Sequence, residues 1–96
     1  MQLASAVTQA TQKLGPEVAY LRHSIGSDTS GEPSIFFRIV LADEASEEAT
    51  LADVTGKIVS ILFDEIRPYE NWGLTPYFSF RSKSELQATR DEPEWT

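Results

Sequence analysis

The chain contains no cysteine, which excludes disulfides, thiolate metal sites and a cysteine nucleophile and fits a reducing compartment. It has a single histidine, His23. A histidine-rich metal cluster is therefore excluded, and a nucleophilic triad is unsupported because no serine stands in a nucleophile-elbow setting. Long apolar runs are missing as well. No segment approaches the roughly 20 residues of a membrane span, and Met1 to Gly15 lacks the apolar core of a signal peptide. Basic residues are few, with eight Lys plus Arg against fifteen Asp plus Glu and a net charge of −7. The overall field is thus a poor one for approaching nucleic acid or an anionic membrane. No catalytic or cofactor-binding motif stands out. The expectation is a cytoplasmic protein that is not an enzyme and holds no cofactor or metal.

What is present is ordinary for a folded domain. Ninety-six residues, 41% hydrophobic and 24% charged, supply one core and too little chain for two. Leu3, Val7, Ala10 and Leu14 recur at helical steps and predict a helix over 3–14, stopped by Gly15 in a left-handed cap and by Pro16. Val18 to Ile25 reads as a strand. Gly26 to Pro33 reads as a turn region, and Ile35 to Leu41 as a second strand crowded with branched and aromatic residues. Leu51, Val54, Ile58, Ile61, Leu62 and Ile66 then follow helical spacing up to Pro68. Ser46, or Thr50 with Asp53, is the expected cap of that helix. After a loop holding Asn71, Trp72, Gly73 and Pro76, in which Trp72 should close the end of the core, Tyr77 to Arg81 alternates as a short strand.

The order α-β-β-α-β predicts an α+β two-layer sandwich, a three-stranded sheet with two helices on one face. Residues 1–82 form the expected domain. Residues 83–96 are expected to be a loosely ordered polar tail, with one helical turn near Glu85 to Thr89.

Strand parity then singles out a surface. Ala19, Leu21, His23, Ile25, Ile35, Phe37, Ile39, Leu41, Phe78 and Phe80 belong under the helices. Tyr20, Arg22, Phe36, Arg38, Val40, Tyr77 and Arg81 are left on the opposite, open face. Arginines and aromatics interleaved across three strands suit a protein interface, where they give buried area and bidentate hydrogen bonds. The same residues would also suit stacking of unpaired bases and phosphate contacts, and on a bland reading they are ordinary cross-strand pairs. The expected function is a non-catalytic interaction module that self-associates or binds a protein partner through Tyr20, Arg22, Phe36, Arg38, Tyr77 and Arg81, or through a sheet edge. RNA or single-stranded nucleic-acid binding is the alternative, disfavoured by net charge. The acidic cluster Asp43, Glu44, Glu47 and Glu48 fits the start of a helix better than a cation site.

The element order across roughly residues 3–82 resembles an incomplete ferredoxin-like fold. Such folds occur in the cytoplasmic domains of cation-diffusion transporters, and the order is also similar to the type II KH arrangement of ribosome-binding factor A. Neither resemblance carries a functional residue over: metal-binding histidines have no counterpart beyond His23, and the Gly-x-x-Gly loop is absent. The stretch from Asp28 to Arg38, with that from Tyr77 to Glu85, also looks like short uncharacterised bacterial proteins. That resemblance implies the fold and a bacterial origin, with no activity attached.

Overall fold

The computed structural model describes residues 2–88, with side chains through Glu85. Its elements in chain order are α1 (Leu3–Gln12), β1 (Val18–Ser27), β2 (Pro33–Leu41), a 3-10 turn (Asp43–Ser46), α2 (Glu48–Ile66), α3 (Pro68–Trp72), β3 (Thr75–Ser82) and α4 (Lys83–Ala88). The strands form one sheet in the order β1-β2-β3. β1 and β2 make an antiparallel hairpin, and β3 lies parallel to β2 after the crossover through α2 and α3. The expected α+β order is the one observed, with α3 and α4 added to the two long helices. No described helix is long and apolar enough to cross a membrane.

The apolar stripes explain the layering. Ile35, Phe37, Ile39 and Leu41 of β2 are buried beneath Ala6, Val7 and Ala10 of α1 and Ile58, Leu62 and Ile66 of α2. The two alanines keep the buried face of α1 small, so it can pack closely in this layer. Phe78 and Phe80 of β3 and Trp72 of α3 border the same core, so Trp72 does close one end of it, from a short helix where a loop was expected. Pro68 stands at the start of α3, where its missing amide hydrogen costs nothing. Arg67, the residue between α2 and α3, takes the left-handed conformation with φ 47°.

Local chemistry departs from expectation at several points. Gly15 has no positive φ, and α1 instead ends through Lys13 and Leu14 amides bonded to Ala10 and Thr11 carbonyls. Neither Ser46 nor Thr50 caps the amides of α2. Their hydroxyls donate to the carbonyls of Ala42 and Glu47, and Glu47 occupies the cap position without a side-chain bond. The strands run longer than the sequence indicates, because Gly26 and Ser27 still pair with Ser34 and Pro33. The hairpin loop is therefore only residues 28–32. Ala19 was expected inward, but a bulge between Val18 and Tyr20 takes it out of the ladder and leaves it exposed, while Val18 borders the core.

The helical turn expected near Glu85 falls on α4 as far as Ala88, and Thr89 to Thr96 lie outside the described residues. This helix starts on a capping box. The Glu85 amide donates to Ser82 Oγ at 3.1 Å, and the Ser82 amide donates back to Glu85 Oε1 at 3.3 Å.

Candidate functional site: the open face of the sheet

Register fixes which side chains share the face turned away from α1 and α2. Opposed residues in a ladder point the same way, so the rows on that face are Tyr20, Val40 and Arg81; Arg22, Arg38 and Ser79; Ser24, Phe36 and Tyr77; and Gly26, Ser34 and Thr75. The six residues singled out from the sequence, Tyr20, Arg22, Phe36, Arg38, Tyr77 and Arg81, all stand on it. Exposure is uneven. Tyr20 and Tyr77 are 37% and 41% exposed, Phe36 and Arg38 are half-buried, and Val40 is covered.

Two groupings organise the face. At the hairpin end, the rings of Phe36 and Tyr77 stack with centroids 5.5 Å apart and planes 16° from parallel. Phe36 also lies over Gly26, where its ring comes within 3.6 Å of the position a Cβ would take. Tyr77 is held at its far end, donating its hydroxyl to Asp28 Oδ2 at 2.8 Å.

Asp28 is the pivot of the loop. Its other oxygen accepts from the Ser30 amide, the Ser30 hydroxyl and the Glu32 amide at 2.9, 2.6 and 3.0 Å. Gly31, at φ 86°, supplies the left-handed residue the loop needs. Hydrogen bonds from Ser30, Tyr77 and Glu32 hold the Asp28 carboxyl down at about 2, and the same contact with Asp28 pushes the Tyr77 phenol up.

At the centre, Arg22 and Arg38 are directly opposed on neighbouring strands, a pairing that like charges disfavour. Their head groups lean apart along β1. Arg38 donates from both terminal nitrogens to Ser24 Oγ at 3.0 and 2.9 Å, while the Arg22 guanidinium sits 5.7 Å from the centre of the Tyr20 ring. The face is thus a stacked aromatic pair beside oriented cations, with large ring area toward solvent.

Two members of the acidic cluster, Asp43 and Glu48, have structural roles. Asp43 accepts from the Ser84 amide at 3.1 Å and its hydroxyl at 2.7 Å, which lowers its pKa and ties the turn after β2 to the start of α4. Glu48 lies in the first turn of α2, where the helix dipole favours it. Among the described residues, no group of three acidic or histidine side chains could hold a metal ion. His23 faces the helical layer, opposite Phe37, away from the open face.

A cavity of about 540 Å³ lies between the start of α2 and β3, lined by Leu41, Leu51, Ala52 and Phe80 among others. Of the six expected site residues it touches only Arg81. Sequence reasoning missed Asp28 and Ser24, which orient Tyr77 and Arg38. Asp28 was legible as an Asx turn, since Asp-x-Ser-Gly places its carboxylate against the amide two residues on. Comparison with protein-family models, curated proteins and solved structures finds no match for this chain.

Proposed function

We propose that this chain is a non-catalytic interaction module of bacterial, cytosolic type that captures a protein partner on the open face of its sheet. The observation that carries this reading is the constellation on the side of the sheet turned away from α1 and α2. Phe36 and Tyr77 are stacked and anchored, Tyr20 and Tyr77 are each more than a third exposed, and Arg22 and Arg38 stand between them. Rigid aromatics present contact area at small entropic cost, and flanking guanidinium groups add directional bonds to carboxylates or carbonyls; these are the residue types in which interface energy concentrates. The stacked Phe36 and Tyr77 put their ring area together rather than scattered singly over the surface.

Phe36→Ser with Arg38→Glu should leave the circular dichroism spectrum and the monomer fold in place and abolish partner capture in a pull-down. Unchanged captured proteins would overturn the face assignment. Single-stranded RNA is the competing ligand, since bases stack on such rings. Titration of labelled RNA at two salt concentrations decides between them, because binding that falls steeply with salt would move the face to nucleic acid.

A further inference from the structure

We infer that the outer edge of β1, which pairs with no strand among the described residues, joins the β1 of a second copy of this chain, antiparallel and about a two-fold axis at His23, to make one six-stranded sheet. The inference rests on reading the chain as an interaction module, but it uses the edge of the sheet rather than its open face.

The two edges differ in how they are defended. β3 contains Pro76, which lacks an amide hydrogen, and it runs directly out of α3 and into α4. β1 spans ten residues, Val18–Ser27, with neither proline nor lysine, and its one bulge lies at the Val18 end and leaves Tyr20 to Ser27 regular. It holds no carboxylate either. Glu17 and Asp28 fall just outside it, so the strand is an uncharged stretch apart from Arg22 in a chain of net charge −7. Its inward row also ends in Ile25, which is 59% exposed although it points to the helical side of the sheet. More than half of that apolar residue is left exposed.

The strand's own sequence sets the register. The bulge ends regular pairing beyond Tyr20, so the ladder available to a partner is Tyr20–Ser27, and His23 is the one of its two central residues about which the strand's apolar side chains pair with each other. An axis at His23 places Leu21 opposite the partner's Ile25, Arg22 opposite the partner's Ser24 and Tyr20 opposite the partner's Gly26. Each contact then occurs twice, as a two-fold interface requires. Large meets small, apolar meets apolar, and a ring covers a glycine, as Phe36 already covers Gly26 from within the chain. Moving the axis to Arg22 would set two guanidinium groups face to face. Moving it to Leu21 would set Ile25 against the partner's Glu17 across the bulge. An axis normal to the sheet keeps both helical layers on one side, so both open faces stay available.

The absence of cysteine makes the test clean. Light scattering of the full chain should give twice the 10.7 kDa chain mass. Ile25→Lys should return it to the single-chain mass with an unchanged circular dichroism spectrum. Gly26→Lys is a second such variant, at a site where a Cβ meets only ordinary contact. His23→Cys should form an intermolecular disulfide under mild oxidation, and Ser79→Cys on the far edge should not. Phe36→Ser with Arg38→Glu should keep the doubled mass, which separates this inference from the open-face reading. Wild-type protein at the single-chain mass, a dimer indifferent to both lysine variants, or a dimer whose residue-23 thiols do not cross-link would overturn it.

Discussion

Two aromatic pairs built from neighbouring residues sit back to back through the sheet. On the helical side Phe37 stacks on Phe78 at 5.3 Å and 12°, and on the other side Phe36 stacks on Tyr77 at 5.5 Å and 16°. The geometry is nearly the same and the setting is opposite. Phe37 is 1% exposed and belongs to the core, whereas Tyr77 is 41% exposed and is held by a carboxylate. Stacking alone therefore does not distinguish core from surface. Cover does, together with the polar anchor that orients a ring left in water.

The largest expected effect falls on the covered pair. Phe37→Ala should lower stability by about 3–5 kcal/mol, the usual cost of emptying a buried aromatic site, as measured by urea denaturation. Phe36→Ala should cost about 1 kcal/mol, because its ring is only half-buried and less transfer energy is lost. Equal losses would break the distinction between the faces.

The anchor gives a smaller, pH-dependent effect. The Asp28 carboxyl is held at about 2 against an ordinary 3.8, so the folded state favours its ionised form. Its stabilising contribution is fully present above about pH 4 and is lost as pH falls through about 2. Asp28→Asn should flatten the acid limb of the stability curve in that window, and Tyr77→Phe should flatten it in part. An acid limb identical in the wild type and Asp28→Asn would remove Asp28 as the pivot of the loop.

The smallest effect is expected away from both pairs. Lys13 and Glu65 form an exposed ion pair at 2.8 Å between the end of α1 and α2. Lys13→Ala should change stability by less than about 1 kcal/mol, and by less still in high salt.

The faces were legible because alternation in β2 is unbroken. Ile35, Phe37, Ile39 and Leu41 against Phe36, Arg38 and Val40 sort themselves by side, and pairing carries that choice to Tyr20, Arg22, Tyr77 and Arg81. What the alternation did not reveal depends on contacts between distant residues or on competing local chemistry. Ala19 sits in a bulge, which periodicity does not mark. Ser46 has good capping chemistry but bonds back to Ala42 at the head of the 3-10 turn, and α2 begins one residue later than a Ser46 cap would place it. Pro68 reads as a helix stop, yet it also starts α3. The Ser82-x-x-Glu85 box was readable in the sequence as the start of α4, whereas the grip of Asp43 on Ser84, 41 residues away, belongs to the tertiary structure.

Site-directed photocross-linking tests the central claim most directly, because a single introduced thiol is the only one in the chain. A benzophenone attached at Ser79→Cys, exposed on the open face opposite Arg38, is predicted to capture a discrete protein that resists nuclease treatment. The same probe at Thr8→Cys, exposed on α1, is predicted to capture none. Capture from Thr8 and not from Ser79, or a Ser79 adduct that nuclease destroys, would contradict the assignment of a protein partner to the open face.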